Sequence, residues 1–173
     1  MEIYNGLPFA SENTYEEDML GTVEPYLAAH GSDGFFDSFD GREIHYEKYL
    51  CENAKASVVI SHGFTESAEK FREMSFYFLN MGYNVFAIDH RGHGRSFRYV
   101  TDPNLVHVRS FDEFVDDFHT FVNKVVKPAS GELPLYLYSH SMGGAVAVQY
   151  LQIHPKVFSK AVLSAPMISP RTA

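Results

Sequence analysis

The sequence predicts an α/β fold built on a mostly parallel sheet with helices on both faces. Three observations predict it. Strand-length apolar runs at 56–61, 84–88, 135–138 and 158–164 are rich in β-branched and aromatic residues, as suits strands buried on both faces. Segments of helical period separate these runs, and the short connections favour parallel crossovers. One connection, at 139–144, is a sharp strand-to-helix turn with a serine at its tip.

Taken in order, residues 1–31 read as a polar, acidic lead-in. Thr14-Tyr15-Glu16-Glu17 fits a capping box, so a short helix is expected there, with Pro25 interrupting it or opening a second turn. Residues 32–173 form the second expected unit, the body of the fold. Within it 34–50 reads as a β-hairpin: Phe35, Phe36 and Phe39 precede the turn signal Asp40-Gly41, and Ile44, Tyr46 and Tyr49 follow with approximate alternation. The run 56–61 is a buried strand ending in His62-Gly63-Phe64-Thr65-Glu66. Helical spacing over 67–81 puts Phe71, Met74, Phe78 and Leu79 on one side, and Gly82 closes that helix. The strand 84–88 runs into Asp89-His90-Arg91-Gly92-His93-Gly94-Arg95-Ser96, and 97–109 is irregular. A helix opening at Ser110 presents Phe111, Phe114, Val115, Phe118, Phe121, Val122 and Val125 before Lys127-Pro128 ends it. After the central strand and its turn, 145–153 is helical, and a last buried strand, the sixth, ends at Ser164.

Composition narrows the function. Hydrophobic content of 45% and charged content of 21% over 173 residues describe an ordinary globular domain with room for a core. With 14 basic and 22 acidic residues the net charge is −8 and no basic stripe is present. Nucleic acid is therefore not an expected partner, and charge gives no reason to dock on anionic lipid. The longest apolar runs are too short to span a membrane. Cys51, at a strand end, is the single cysteine, so no intrachain disulfide forms. With an N-terminus lacking a basic start and apolar run, this makes the cytoplasm the expected location.

The chemistry concentrates at 135–147. Ser141 stands where a nucleophile elbow places its serine, within S-x-S-x-G rather than G-x-S-x-G, because Ser139 replaces the first glycine. Serine is small enough for strand and helix backbones to pass closely. Three segments then stand together: His62-Gly63-Phe64, Asp89 to Ser96, and Ser139-His140-Ser141-Met142-Gly143-Gly144. In combination, over about 35–166, they resemble the α/β-hydrolase fold, and within it the lysophospholipase and monoacylglycerol-lipase-like serine hydrolases.

That resemblance implies a carboxylic ester hydrolase acting on monoacyl lipids through an acyl-enzyme on Ser141, without cofactor or metal. A serine hydroxyl needs a base, and the oxyanion formed by its attack needs backbone donors set in advance. By the resemblance these are the N–H groups of Met142 and Phe64. His62, Gly63, Ser139, His140 and Gly143 would support loop and elbow, with Gly63 and Gly143 letting backbone approach the substrate. His90-x-x-His93 lies on a glycine-rich loop rather than a helix face, which argues against zinc. Gly92-His93-Gly94 fails as a dinucleotide fingerprint, because Phe97 stands at the third glycine position.

In such enzymes the triad runs serine, acid, histidine. Beyond Ser141 the sequence has no Asp or Glu, and its one later histidine is His154, some 20 Å down the helix by helical rise. The expectation is a fold truncated after about the sixth strand: an N-terminal part of a catalytic domain whose lid, last two strands, acid and histidine lie beyond Ala173. Such a chain is expected to be inactive alone and to leave a hydrophobic sheet edge open to pairing, and a lid outside it would make any peripheral membrane contact. The competing readings are a catalytically incomplete fragment or binding module, and another serine acyl hydrolase, peptidase or acyltransferase.

Overall fold

A computed structural model describes residues 1–169; residues 170–173, the last of the expected unit 32–173, lie outside the described residues. The chain opens with a two-stranded hairpin that the acidic composition hides: β1 (Glu2–Tyr4) pairs antiparallel with β2 (Leu7–Phe9). Asn5 and Gly6 at its tip take φ of 49° and 79°, the left-handed pair that a two-residue hairpin turn requires. Phe9 packs on Tyr77 with ring centroids 4.5 Å apart.

A helix follows in three parts, α1 (Tyr15–Asp18), a π-helical stretch over Met19–Val23, and α2 (Glu24–His30). The capping box expected at Thr14 does not form; the Thr14 hydroxyl donates to Asp18 at 3.0 Å instead. Of the two outcomes expected at Pro25 the second holds: it does not interrupt the helix but stands in the first turn of α2. A proline lacks the N–H that would bond to the carbonyl four residues back and its ring clashes with that carbonyl. Here that carbonyl belongs to Gly21, inside the π-helical stretch, where the wider turn moves it aside.

The main sheet contains β3 (Gly31–Asp37), β4 (Glu43–Tyr49), β5 (Ala56–Ser61), β6 (Tyr83–Ile88), β7 (Leu135–His140) and β8 (Lys160–Ser164), in spatial order β3-β4-β6-β5-β7-β8. The neighbours β6, β5, β7 and β8 run parallel, and the β3–β4 hairpin extends the sheet antiparallel at one edge. Beyond a 3₁₀ turn at Ala68–Phe71, α3 (Arg72–Asn80) connects β5 to β6. Next come α4 (Asp112–Phe121), a second π-helical stretch (Val122–Val126), α5 (Lys127–Ser130) and, after β7, α6 (Ser141–Ile153). Pro128 does not end its helix at Lys127, as the sequence suggests. Its clashing carbonyl belongs to Lys124, again inside a π-helical stretch, and the helix continues to Ser130 before Gly131, at φ 58°, closes it.

The parallel strands β5 and β6 bury both faces. Val59, Phe86, Ile88 and Leu137 meet Phe114, Phe118 and Phe121 of α4 and Val146 and Tyr150 of α6. On the other side Val58, Ile60, Val85 and Ala87 meet Leu27 of α2 and Phe76 and Leu79 of α3. Each such side chain contributes about 1.5–3 kcal/mol of burial, so the continuous apolar runs follow from the two-sided packing. The run ending at Ser164 is not the buried strand its apolar residues suggested but stands at the sheet edge, where the expected truncation left it. It forms an outer strand whose Lys160, Ala161 and Val162 are exposed, because among the described residues nothing covers its far side. No helix among the described residues is long and apolar enough to cross a membrane.

Candidate active site

Because β6, β5 and β7 are neighbours, their C-terminal ends bring the three motif segments together. Each segment has its own local reason for its shape.

Ser141 is the first residue of α6, immediately after β7, and holds φ at +50°. For a residue with a Cβ this left-handed conformation costs about 1–2 kcal/mol. The helix begins at the serine rather than four residues later, as its sequence suggested, so Met142 carries one of the first-turn N–H groups that have no partner within the helix. The Met142 side chain is buried in the core. The strain is held by close packing from below. A Cβ on Gly143 would lie 2.2 Å from the Ser61 carbonyl oxygen and 2.4 Å from that of His62. Gly143 therefore lets α6 sit against the end of β5, the close backbone approach for which an elbow needs small residues. Gly144 meets Pro166 in the same way, at 2.6 Å. Ser139 is fully buried within β7, in register with Ser61.

The loop after β5 is a tight turn closed by Glu66 N–H donating to the Gly63 carbonyl at 3.3 Å, with Thr65 at φ 57°. Gly63 packs on the elbow: its Cβ would stand 3.0 Å from both Ser141 Cβ and His140 Nδ1, and 2.7 Å from Glu66 Oε2. Glu66 Oε2 accepts the Gly63 N–H at 2.6 Å and the His140 Nδ1–H at 2.9 Å, while Oε1 accepts from Lys70. Burial raises the Glu66 carboxyl, and the bonds from Lys70, His140 and Gly63 outweigh it, holding the group at about 2. Phe64, at the tip, is half exposed. Beside this loop a cleft of about 400 Å³ opens between Thr65, Lys70, His93 and Arg98.

Beneath the loop lie three packed imidazoles. His62 donates from Nδ1 to the Gly63 carbonyl at 2.7 Å and accepts the His90 backbone N–H on Nε2 at 3.0 Å. His90 Nε2 bonds Ser61 Oγ at 2.8 Å, and His93 Nδ1 donates to the Arg91 carbonyl at 3.0 Å. Burial lowers all three, His62 to about 4. They are neutral scaffolding at ordinary pH. Asp89 is scaffolding too: it accepts from Ala68 N–H at 2.6 Å, His45 Nδ1 at 2.8 Å and Arg95 N–H at 2.9 Å. Burial raises its carboxyl, and these bonds outweigh that, to about 2. Gly94, at φ 48°, leaves room for it, since a Cβ there would stand 2.1 Å from Asp89 Oδ2.

His154 lies away from this site, at the far end of α6, stacked on His119 with centroids 4.3 Å apart. Two residues in the network carried no role in the sequence. Glu66 was visible only as a letter in the loop motif, although its spacing of three from Gly63 is that of a side chain returning to cap a tight turn. His45 is buried in the hairpin, where alternation gave no sign that a polar ring faced inward.

Gly143→Ala is expected to push α6 away from β5 at about 3 kcal/mol, the upper part of the overpacking range. A urea titration checks this, and an unchanged midpoint would contradict the packing described.

Residues 52–173 match the family model described as serine aminopeptidase, S33. Lysophospholipase L2 of Escherichia coli K12 is 37% identical over 156 residues, which cover 90% of this chain and 45% of that protein. The monoacylglycerol lipase of Mycolicibacterium smegmatis is 34% identical over 80% of this chain and 48% of its own length. Among solved structures, a thermostable carboxyl esterase from Bacillus coagulans superposes with a TM-score of 0.69 at 26% identity, over 78% of this chain and 44% of the esterase. The chain thus spans about half the length of the curated relatives it matches.

Proposed function

Because the chain belongs to the serine aminopeptidase S33 family of α/β hydrolases, we propose that Ser141 is the nucleophile of a hydrolase cleaving carboxylic esters of monoacyl lipids. The observation that carries this is the left-handed serine at the β7–α6 turn with the Gly63 loop packed against it. Ser141 Oγ attacks the ester carbonyl as its proton passes to a base. The tetrahedral oxyanion takes hydrogen bonds from Met142 N–H and Phe64 N–H, and its collapse releases the alcohol and leaves an ester on Ser141 that water then hydrolyses. Phe64 rather than Gly63 is the loop donor, because Glu66 already occupies the Gly63 N–H. The choice of lipid ester over peptide follows the relatives, one named a lysophospholipase and another a monoacylglycerol lipase.

The base and its acid are proposed to come from outside these residues. His62 has both ring nitrogens engaged, and His140 is engaged with Glu66. This favours a second reading for the 173-residue chain alone, a catalytically incomplete module. The expected result is negligible hydrolysis of a short-chain p-nitrophenyl ester by this chain, and slow covalent labelling by a fluorophosphonate that Ser141→Ala abolishes. Labelling that persists in Ser141→Ala would defeat the nucleophile assignment. Robust turnover lost in Ser141→Ala would instead defeat the claim of incompleteness.

A further inference from the structure

Glu66 joins two segments that are remote in sequence. One carboxylate oxygen holds both the first N–H of the 63–66 loop and the imidazole of the residue before Ser141. Its side chain is only 8% exposed. The loop packs closely on the elbow, since a Cβ on Gly63 would stand 3.0 Å from Ser141 Cβ. Contact thus fixes how close the loop comes, and the shared carboxylate fixes where along the elbow it sits. The groups facing that carboxylate are Lys70 on Oε1, His140 and the Gly63 amide on Oε2, with His62 and His93 beneath the loop.

We infer that Glu66 is a positioning residue: by clasping Gly63 N–H and His140 Nδ1 it sets the placement of the Phe64 amide relative to the Met142 amide, and so whether one oxyanion can bond both. This rests on the ester-cleaving reading. A displacement of about 1 Å in such an arrangement costs on the order of 100-fold in rate. A carboxylate suits the task because it accepts several bonds at once. A carboxamide with its oxygen at the Oε2 position keeps both bonds, and turns its N–H donors toward the Lys70 ammonium, which opposes that placement.

The test uses the 173-residue chain, with amide hydrogen exchange by NMR and fluorophosphonate labelling of Ser141 read at equal folded fraction. Glu66→Ala should raise Gly63 amide exchange about tenfold or more and slow labelling about 100-fold. Glu66→Gln should recover part of both, whereas Lys70→Ala, which removes only the outer partner, should leave both within about twofold. A merely structural glutamate would lower the melting temperature without changing labelling per folded molecule. Labelling by Glu66→Ala within about threefold of the parent overturns the proposal. If Glu66→Ala does not fold, His140→Phe decides. It cuts the elbow side alone and should slow labelling while Gly63 stays protected; unchanged labelling overturns the proposal equally. If the parent chain is never labelled at Ser141, the ester-cleaving reading fails, and with it the role in positioning an oxyanion. Gly63 exchange then reports only whether the clasp exists.

Discussion

Arg91→Ala is expected to destabilise the protein by about 3–5 kcal/mol, the range for leaving one partner of a buried ion pair without the other. Arg91 is fully buried and meets Asp117 side-on with two bonds, Nε to Oδ2 at 2.6 Å and Nη2 to Oδ1 at 2.7 Å. Its Nη1 also reaches Asp40 at 3.2 Å, Glu113 at 3.2 Å and the Tyr99 hydroxyl at 3.1 Å, and Ser38 donates to Asp117. One guanidinium thus ties the turn of the β3–β4 hairpin, α4 and the loop after β6 together. Burial alone would lower the Arg91 pKa, and the bonds and charge of Asp117, then Asp40, raise it instead, so it stays charged. Alanine would leave the Asp117 carboxyl, which burial already pushes up, enclosed without a cation. Chemical denaturation measures the loss. The double variant Arg91→Met/Asp117→Leu should lose clearly less than Arg91→Ala alone, since it removes both charges. A larger loss in the double variant would show that the hub contributes more than charge satisfaction.

Acidification is the second large effect. His62 has a folded pKa of about 4 against an ordinary 6.5, set chiefly by burial. The unfolded chain then binds protons more readily, and stability rises with pH across that interval. The contribution is complete above about pH 6.5 and is lost as pH falls to about 4, roughly 3 kcal/mol for this residue alone. His90 and His93, lowered by the same burial, add to it. A second stage follows at lower pH. Asp89 and Glu66, both held at about 2, contribute stability above their ordinary range and lose it as pH falls toward 2. Urea midpoints measured from pH 7 to pH 4 should fall continuously, with uptake of more than one proton per molecule. A flat profile over that range would mean the three imidazoles are not enclosed as described.

Much of this was legible in the sequence, for identifiable reasons. The runs 56–61 and 84–88 announced themselves because two-sided burial demands unbroken apolar stretches. The elbow announced itself because only small residues tolerate the approach made by Gly143. The opening hairpin was missed although Asn5-Gly6 is a strong turn signal, since its strands are three residues long and polar enough to pass for a lead-in. Pro128 reads as a helix end in the sequence because a π-helical turn ahead of it has no signature of its own. At the site, Ser141 and the glycines could be read from local spacing. The roles of His45 and Asp117, and the hold of Glu66 on His140, could not, because those partners stand far away along the chain.

That distance bears on when the site comes into being. The bond from Ser61 to Gly143 closes a separation of 82 residues, and that from Glu66 to His140 a separation of 74. Contacts of such high order form only after most of the chain has lost its freedom, and they form slowly. A half-collapsed intermediate would therefore carry residue 141 as an ordinary alcohol. Reactivity toward a covalent probe would emerge late in refolding and would time the completion of the sheet, not its nucleation.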